Sequence, residues 1–444
     1  MKIRRQGIAG SPKGKGSRPR FHRTLWPAVL ALGLAACGGG GGGGDDDDGN
    51  LPPPAPYTKQ WGTVAADAVY GVATDGNGNV YTLGTTGATL NGQTSAGGFD
   101  LVLTKYDRDG RLAWVRQFGS TGDDVAGGVT VDAQGRVIVA GAAAGPVNGA
   151  PYGGNRDVLV AAFDGNGQRL WTKQWGGSAG ELAHAVAVNG SGEIFVTGQN
   201  GNALLVLKVS ADGNTVTDLS RSSDSNAIGR GIAVAGNVLY LTGETSLAMD
   251  GQLHAGRADA FVTKRSTTNG AVEWTRHLGT AADEAGRGVA VDSGGNVLVT
   301  GYTFGPMGGG TANAVGDIFV AKFNASGAQQ WLQRTGSAQQ EAGYAIATDA
   351  QGNAYVAGHS AGAFAGTTAL GNVDMVLLKY DGGGNQQWVR RLGTALGDTA
   401  TSVAVDGQGR VYLGGFTQGA IDGLAALGGT DMVLARYDAS GNKQ

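Results

Sequence analysis

Trp114, Trp171, Trp274, Trp331 and Trp388 stand 57, 103, 57 and 57 residues apart, and no other feature of the chain limits its fold so strongly. The long gap holds two copies of one unit, with Thr217 in the tryptophan position between them. Two acidic columns keep the same step. One is Asp67, Asp124, Glu181, Glu284, Glu341 and Asp398, interrupted by Ala227; the other is Asp100, Asp157, Asp259, Asp317, Asp374 and Asp431. The third copy lacks its second aspartate because it is about eleven residues shorter, between Gly198 and Leu204. A unit repeated at fixed spacing buries its apolar face against its neighbours, so the copies must stack.

Within a copy the pattern has period two. In Gly288–Thr303, Val289–Val291 and Val297–Thr300 flank the turn Asp292-Ser-Gly-Gly-Asn296. Branched residues suit a pleated surface and the turn residues tolerate positive φ, so the unit reads as a β-hairpin. Four strands are expected in the fifth copy: Gly288–Val291, Asn296–Thr300, Asp317–Phe323 and Gln329–Gln333. Four antiparallel strands at fixed spacing describe a propeller blade, whereas the coils of a β-solenoid are shorter and lack such a meander. The 83 glycines serve turns: a collagen-like third-residue glycine is absent, and 41% hydrophobic residues argue against disorder.

The two ends of the repeat region complement each other. The last copy stops at Gln444, one residue before position 445, where a tryptophan would fall, while Tyr57-Thr-Lys-Gln-Trp-Gly62 matches Trp171-Thr-Lys-Gln-Trp-Gly176. Tyr57 lies 57 residues before Trp114, which places it on the outermost strand of the seventh blade. The expectation is an all-β, seven-bladed β-propeller of four-stranded antiparallel blades over residues 57–444, closed by an N-terminal outer strand.

Gly288–Thr303 and Asp317–Asn324 resemble the bacterial β-propeller repeat (SBBP) family, as do Ala345-Ile-Ala-Thr-Asp349 and Ala354-Tyr-Val-Ala-Gly358 in the next copy. The resemblance covers residues 57–444, most closely after Asp283, and implies the fold without assigning an activity. Thr217, Ala227 and the short loop near Gly201 depart from the family pattern, so irregular third and fourth blades are expected.

Ahead of the repeats, Arg4, Arg5, Lys13, Lys15, Arg18, Arg20 and Arg23 form a basic region before the short apolar run Leu25–Ala36. Leu34-Ala35-Ala36-Cys37 resembles the bacterial lipoprotein signal, which implies cleavage after residue 36 and a lipid on Cys37, since the apolar run is too short to span a membrane. Gly38 follows where an aspartate would imply retention at the inner membrane. An outer-membrane address is therefore expected, its side left open. Residues 37–56, rich in Gly, Asp and Pro, read as a flexible tether. Cys37 is the sole cysteine, so no internal disulfide is expected. Without residues 1–36, which hold eight Lys/Arg and no Asp/Glu, 25 basic residues face 36 acidic ones, a net charge of −11 that disfavours nucleic acid.

The first acidic column opens the innermost strand of six blades. Either each carboxylate accepts hydrogen bonds from the adjoining inter-blade turn, or Asp67, Asp124, Glu181, Glu284, Glu341 and Asp398 form an electronegative ring at the channel mouth. Turns such as Asp75-Gly-Asn-Gly-Asn79 lack the glutamate and helices of a calcium loop, and tight hairpins account for them. The five histidines share no column with a Ser or Asp, so no catalytic residue, metal or cofactor is expected. The long loops between second and third strands share a face with the inter-blade turns and offer Phe304, Phe364 and Met249 as binding contacts. The function expected is a monomeric, non-catalytic scaffold that recognises an envelope protein or glycan through that face. The alternative is a propeller enzyme, quinoprotein-like or a hydrolase.

Overall fold

Alternating branched and small residues, broken at Asp/Asn/Gly turns, fold each copy into four consecutive antiparallel strands. The computed structural model describes residues 57–309, 315–364 and 366–444; the signal segment 1–36, Cys37 and the tether 37–56 lie outside the described residues. Six blades occupy residues 67–118, 125–175, 181–218, 227–278, 284–335 and 341–392, and the seventh combines residues 398–437 with Lys59–Trp61. In each blade the first strand is innermost and the fourth is outermost.

The closing strand is short but well anchored. Lys59–Trp61 runs antiparallel to Asp431–Tyr437 with Lys59 opposite Leu434 and Trp61 opposite Met432. Gln60 donates to the carboxylate of Asp431 at 2.7 Å, and the Tyr57 amide donates to the carbonyl of Gln444. The Tyr57 ring is 3% exposed, packs edge-on against Tyr412 at 5.8 Å and lies over Gly110 of the first blade, where a Cβ would meet it at 2.5 Å.

The core lies between neighbouring sheets. Tyr81, Leu101 and Phe118 of blade 1, for example, pack on Val139, Leu159 and Phe163 of blade 2. The repeated tryptophans bridge adjacent blades: the indole N–H of Trp114 donates to Gly165, that of Trp274 to Ala325 and that of Trp331 to Gly382, each in the next blade. Blade 3 is irregular as expected, its outer strand reduced to Val216–Asp218. Blade 4 is regular, with strands Ala227–Ala235, Val238–Thr245, Asp259–Ser266 and Val272–Leu278. Where blade 3 lacks its tryptophan, Asp224 in the connection to blade 4 forms a fully buried two-pronged ion pair with Arg265, at 2.7 and 2.9 Å.

In blade 5 the four strands are Glu284–Val291, Val297–Thr303, Asp317–Phe323 and Gln329–Thr335. The first begins at Glu284, four residues before the expected Gly288, because a β-bulge between Gly286 and Gly288 breaks the alternation that sequence reading relies on.

Candidate functional site at the channel mouth

Each member of the first acidic column is at most 2% exposed and bonds to the turn that enters its blade. Asp124 accepts from the amide and hydroxyl of Ser120 at 2.5 and 2.7 Å, and Glu284 from those of Thr280 at 2.6 and 2.7 Å. Glu341 accepts from the Ser337 amide at 2.8 Å, while Asp67, Glu181 and Asp398 accept from the amides of Thr63, Gly177 and Thr394. These carboxylates brace the junctions between blades and do not present a ring to the channel. Backbone amides at a tight turn need an acceptor, and a carboxylate four residues on supplies it.

The expected loop contacts are also corrected. Met249 and Phe364 are 2% and 5% exposed. Met249 packs with Phe261 and Leu241, and Phe364 with Val376 and Ile318, because the long loops fold their few apolar side chains down between blades. Phe304 stays partly exposed, its ring edge-on to Tyr302 at 5.7 Å.

A different column faces the axis. Every innermost strand carries a register shift two or three residues after its start, and the bulged residues are Tyr70, Gly127, His184, Arg230, Arg287, Tyr344 and Thr401. All seven line a cavity of about 620 Å³ that opens on the long-loop face, together with His359, Phe416 and Gln418. A smaller space of about 250 Å³ continues between the innermost strands. The signal for this column was present in the sequence as contrast. Two positions further on stand Val72, Val129, Val186, Ile232, Val289, Ile346 and Val403, all branched and apolar, whereas the bulged column holds five residue types in seven places.

The cavity is electrically lopsided. Arg230 donates to Glu244 at 2.6 and 3.2 Å, and Arg287 stands 3.8 Å from the other oxygen of the same carboxylate. Nη2 of Arg287 donates to the Tyr302 hydroxyl at 3.2 Å, and the guanidinium lies 5.2 Å from that ring's centre. His184 Nδ1 is 2.9 Å from the carbonyl of Gly229, so Nδ1 carries the proton and Nε2 accepts from Arg230 at 3.4 Å. Burial first, and then the Arg230 charge, lower the His184 pKa to about 4. In the neighbouring blade 6, the Tyr344 ring packs tilted against His359 at 5.5 Å; burial raises the phenol's pKa and lowers the imidazole's.

This environment gives His184 a measurable effect on stability. Between its unfolded value of 6.5 and its folded value of about 4, only the unfolded chain holds the extra proton. Stability therefore falls as pH drops through that window, by about 1.4 kcal/mol per pH unit for this imidazole. His184→Gln should flatten the acid limb by that slope when urea unfolding is compared at pH 7 and pH 5. Asp67 and Asp124, whose pKa values burial raises, act with the opposite sign in both proteins, so the difference between variants isolates His184. Identical limbs would remove this account.

Comparison with known proteins agrees with the fold. The SBBP beta-propeller repeat family matches residues 273–306 and 387–421. Regulatory protein FlaEY of Caulobacter vibrioides is 25% identical over 218 residues, a stretch amounting to 44% of this chain and 23% of that protein. Among solved structures, Chaetomium thermophilum Raptor superposes with a TM-score of 0.50 at 8% identity, over 88% of this chain and 29% of that one. Kuenenia stuttgartiensis hydrazine synthase gives 0.49 at 13% identity over 83% and 96%, and BamB from Moraxella catarrhalis gives 0.43 at 13% over 85% and 99%. At these identities the likeness concerns the fold alone.

Proposed function

We propose that this chain, which carries SBBP beta-propeller repeats at residues 273–306 and 387–421, is a non-catalytic binding scaffold of the bacterial cell envelope. In this reading a lipid on Cys37 holds it to the outer membrane, and the channel mouth on the long-loop face engages an envelope protein or glycan. One observation carries the binding half. The neighbouring column at Val72, Val129, Val186, Ile232, Val289, Ile346 and Val403 keeps like residues in like places, as packing demands, yet the seven bulged residues differ widely where they face an open cavity. Unlike groups converging on a rigid scaffold are what selective recognition requires. The non-catalytic half is supported by the mutual engagement of His184, Arg230 and Glu244, whose polar atoms hold one another.

A photo-activated cross-linking side chain placed at Gln418, exposed at the cavity, should yield a discrete adduct in cells. The same group at Gln408, exposed on the tight-turn face, should yield none. Equal adducts from both positions would overturn the assignment of the face. For the anchor, Cys37→Ser should move the protein from the membrane to the soluble fraction, and continued membrane retention would remove the lipid.

A further inference from the structure

We infer that the channel mouth takes a small organic monoanion with a planar apolar body, of the aromatic carboxylate class. The inference goes beyond the scaffold reading above and concerns a small ligand held within the same cavity. Among the described residues lining both parts of the channel, Arg230 and Arg287 are the only ones that carry a full charge at neutral pH. Glu244 sits behind them and cancels one of the two charges. The wall made by blades 4 and 5 therefore presents one net positive charge, which suits a monoanion better than a phosphate dianion.

The two arginines are not equivalent. Arg230 commits its Nε and Nη2 to Glu244 and its Nη1 to His184. Arg287 makes one side-chain hydrogen bond, from Nη2 to Tyr302, and its Nη1 has no hydrogen-bond partner among the described residues. Stacking on Tyr302 holds that guanidinium in place, so its free edge is oriented before a ligand arrives. Nη1 is the accessible unpartnered nitrogen, Nε being buried, and it offers a charge-assisted hydrogen bond to a carboxylate oxygen.

The opposite wall carries two aromatic rings, with Thr399, Thr401 and Gln418 beside them. Tyr70 of blade 1, 40% exposed, and Phe416 of blade 7 line the same cavity, while Gly127 adds no side chain on blade 2. An anion bound to Arg287 would extend its body toward these rings. The volume of about 620 Å³ lies within the range of small-molecule sites.

The test is calorimetric titration of the mature full-length protein in detergent with naphthoate, its neutral analogue naphthylmethanol, and inorganic phosphate. Naphthoate should bind at least tenfold more tightly than either comparator. Arg287→Gln should weaken naphthoate at least tenfold and leave naphthylmethanol unchanged, while Tyr70→Ala, on an exposed side chain, should weaken both several-fold. The inference is overturned if naphthoate does not bind, if the alcohol or phosphate binds as well, or if Arg287→Gln binds naphthoate like the parent. Those outcomes leave the cross-linking result at Gln418 intact, so the two readings fail separately.

Discussion

Deleting residues 57–61 should lower the melting temperature by on the order of 10 °C and make the protein aggregate on heating. The deletion removes the outer partner of Asp431–Tyr437, which stays paired with Val411–Thr417 on its other side, and uncovers that strand as a sheet edge. It also removes Tyr57, which fills the space between blades 7 and 1 against Tyr412 and Gly110. Tyr57→Ala alone should cost about 3–5 kcal/mol, the range for a large buried aromatic. It leaves the backbone pairing in place, so it should fall short of the deletion. Urea unfolding and scanning calorimetry check both. A melt unchanged by the deletion would mean that the ring is closed by something other than this strand.

Asp224→Ala should destabilise the protein by about 3–5 kcal/mol, because it leaves Arg265 buried without its counter-charge. Both side chains are fully buried, and Asp224 also accepts from the amide of Arg221 at 3.0 Å. The pair stands where the repeat fails. In other blades the position of Arg265 is held by Tyr106, Phe163, Val209, Phe323, Tyr380 and Tyr437, and a tryptophan from the preceding blade lies alongside most of them. With Thr217 in place of that tryptophan, Leu219 packs beside Gly270 and the ion pair fills the remaining space. Replacing both partners by apolar residues, Asp224→Leu with Arg265→Met, should recover most of the loss, since no buried charge then lacks a partner. Urea midpoints for the two single variants and the double variant decide it; a double variant as unstable as the sum of the singles would show that the pair is not a unit.

The chain alone determined how many blades there are and how the ring closes. The spacing of Trp114 to Trp388 and the match of Tyr57–Gly62 to Trp171–Gly176 are relations along the sequence, and turn chemistry at residues such as Asp292–Asn296 acts within a few positions. It also left two roles open for the acidic column, and the hydrogen bonds from Thr280 to Glu284 and from Ser120 to Asp124 assign those carboxylates to the junctions. Phe364 and Met249 were legible as apolar loop residues but not as buried ones, because whether a loop folds inward depends on the gap beneath it.

What only the tertiary structure decided was which residues share the axis. A bulge displaces one residue per innermost strand out of the period-two alternation, so Arg287 and its counterparts look like interruptions of a strand when read along the chain. Their meeting depends on seven sheets packing side by side at a common tilt. That long-range geometry brings His184 of blade 3 to Arg230 of blade 4, although no local pattern links them, while the first hairpin of blade 4 pairs Arg230 with Glu244. Short-range preferences write the blade, and the cavity exists only once all the blades stand around it.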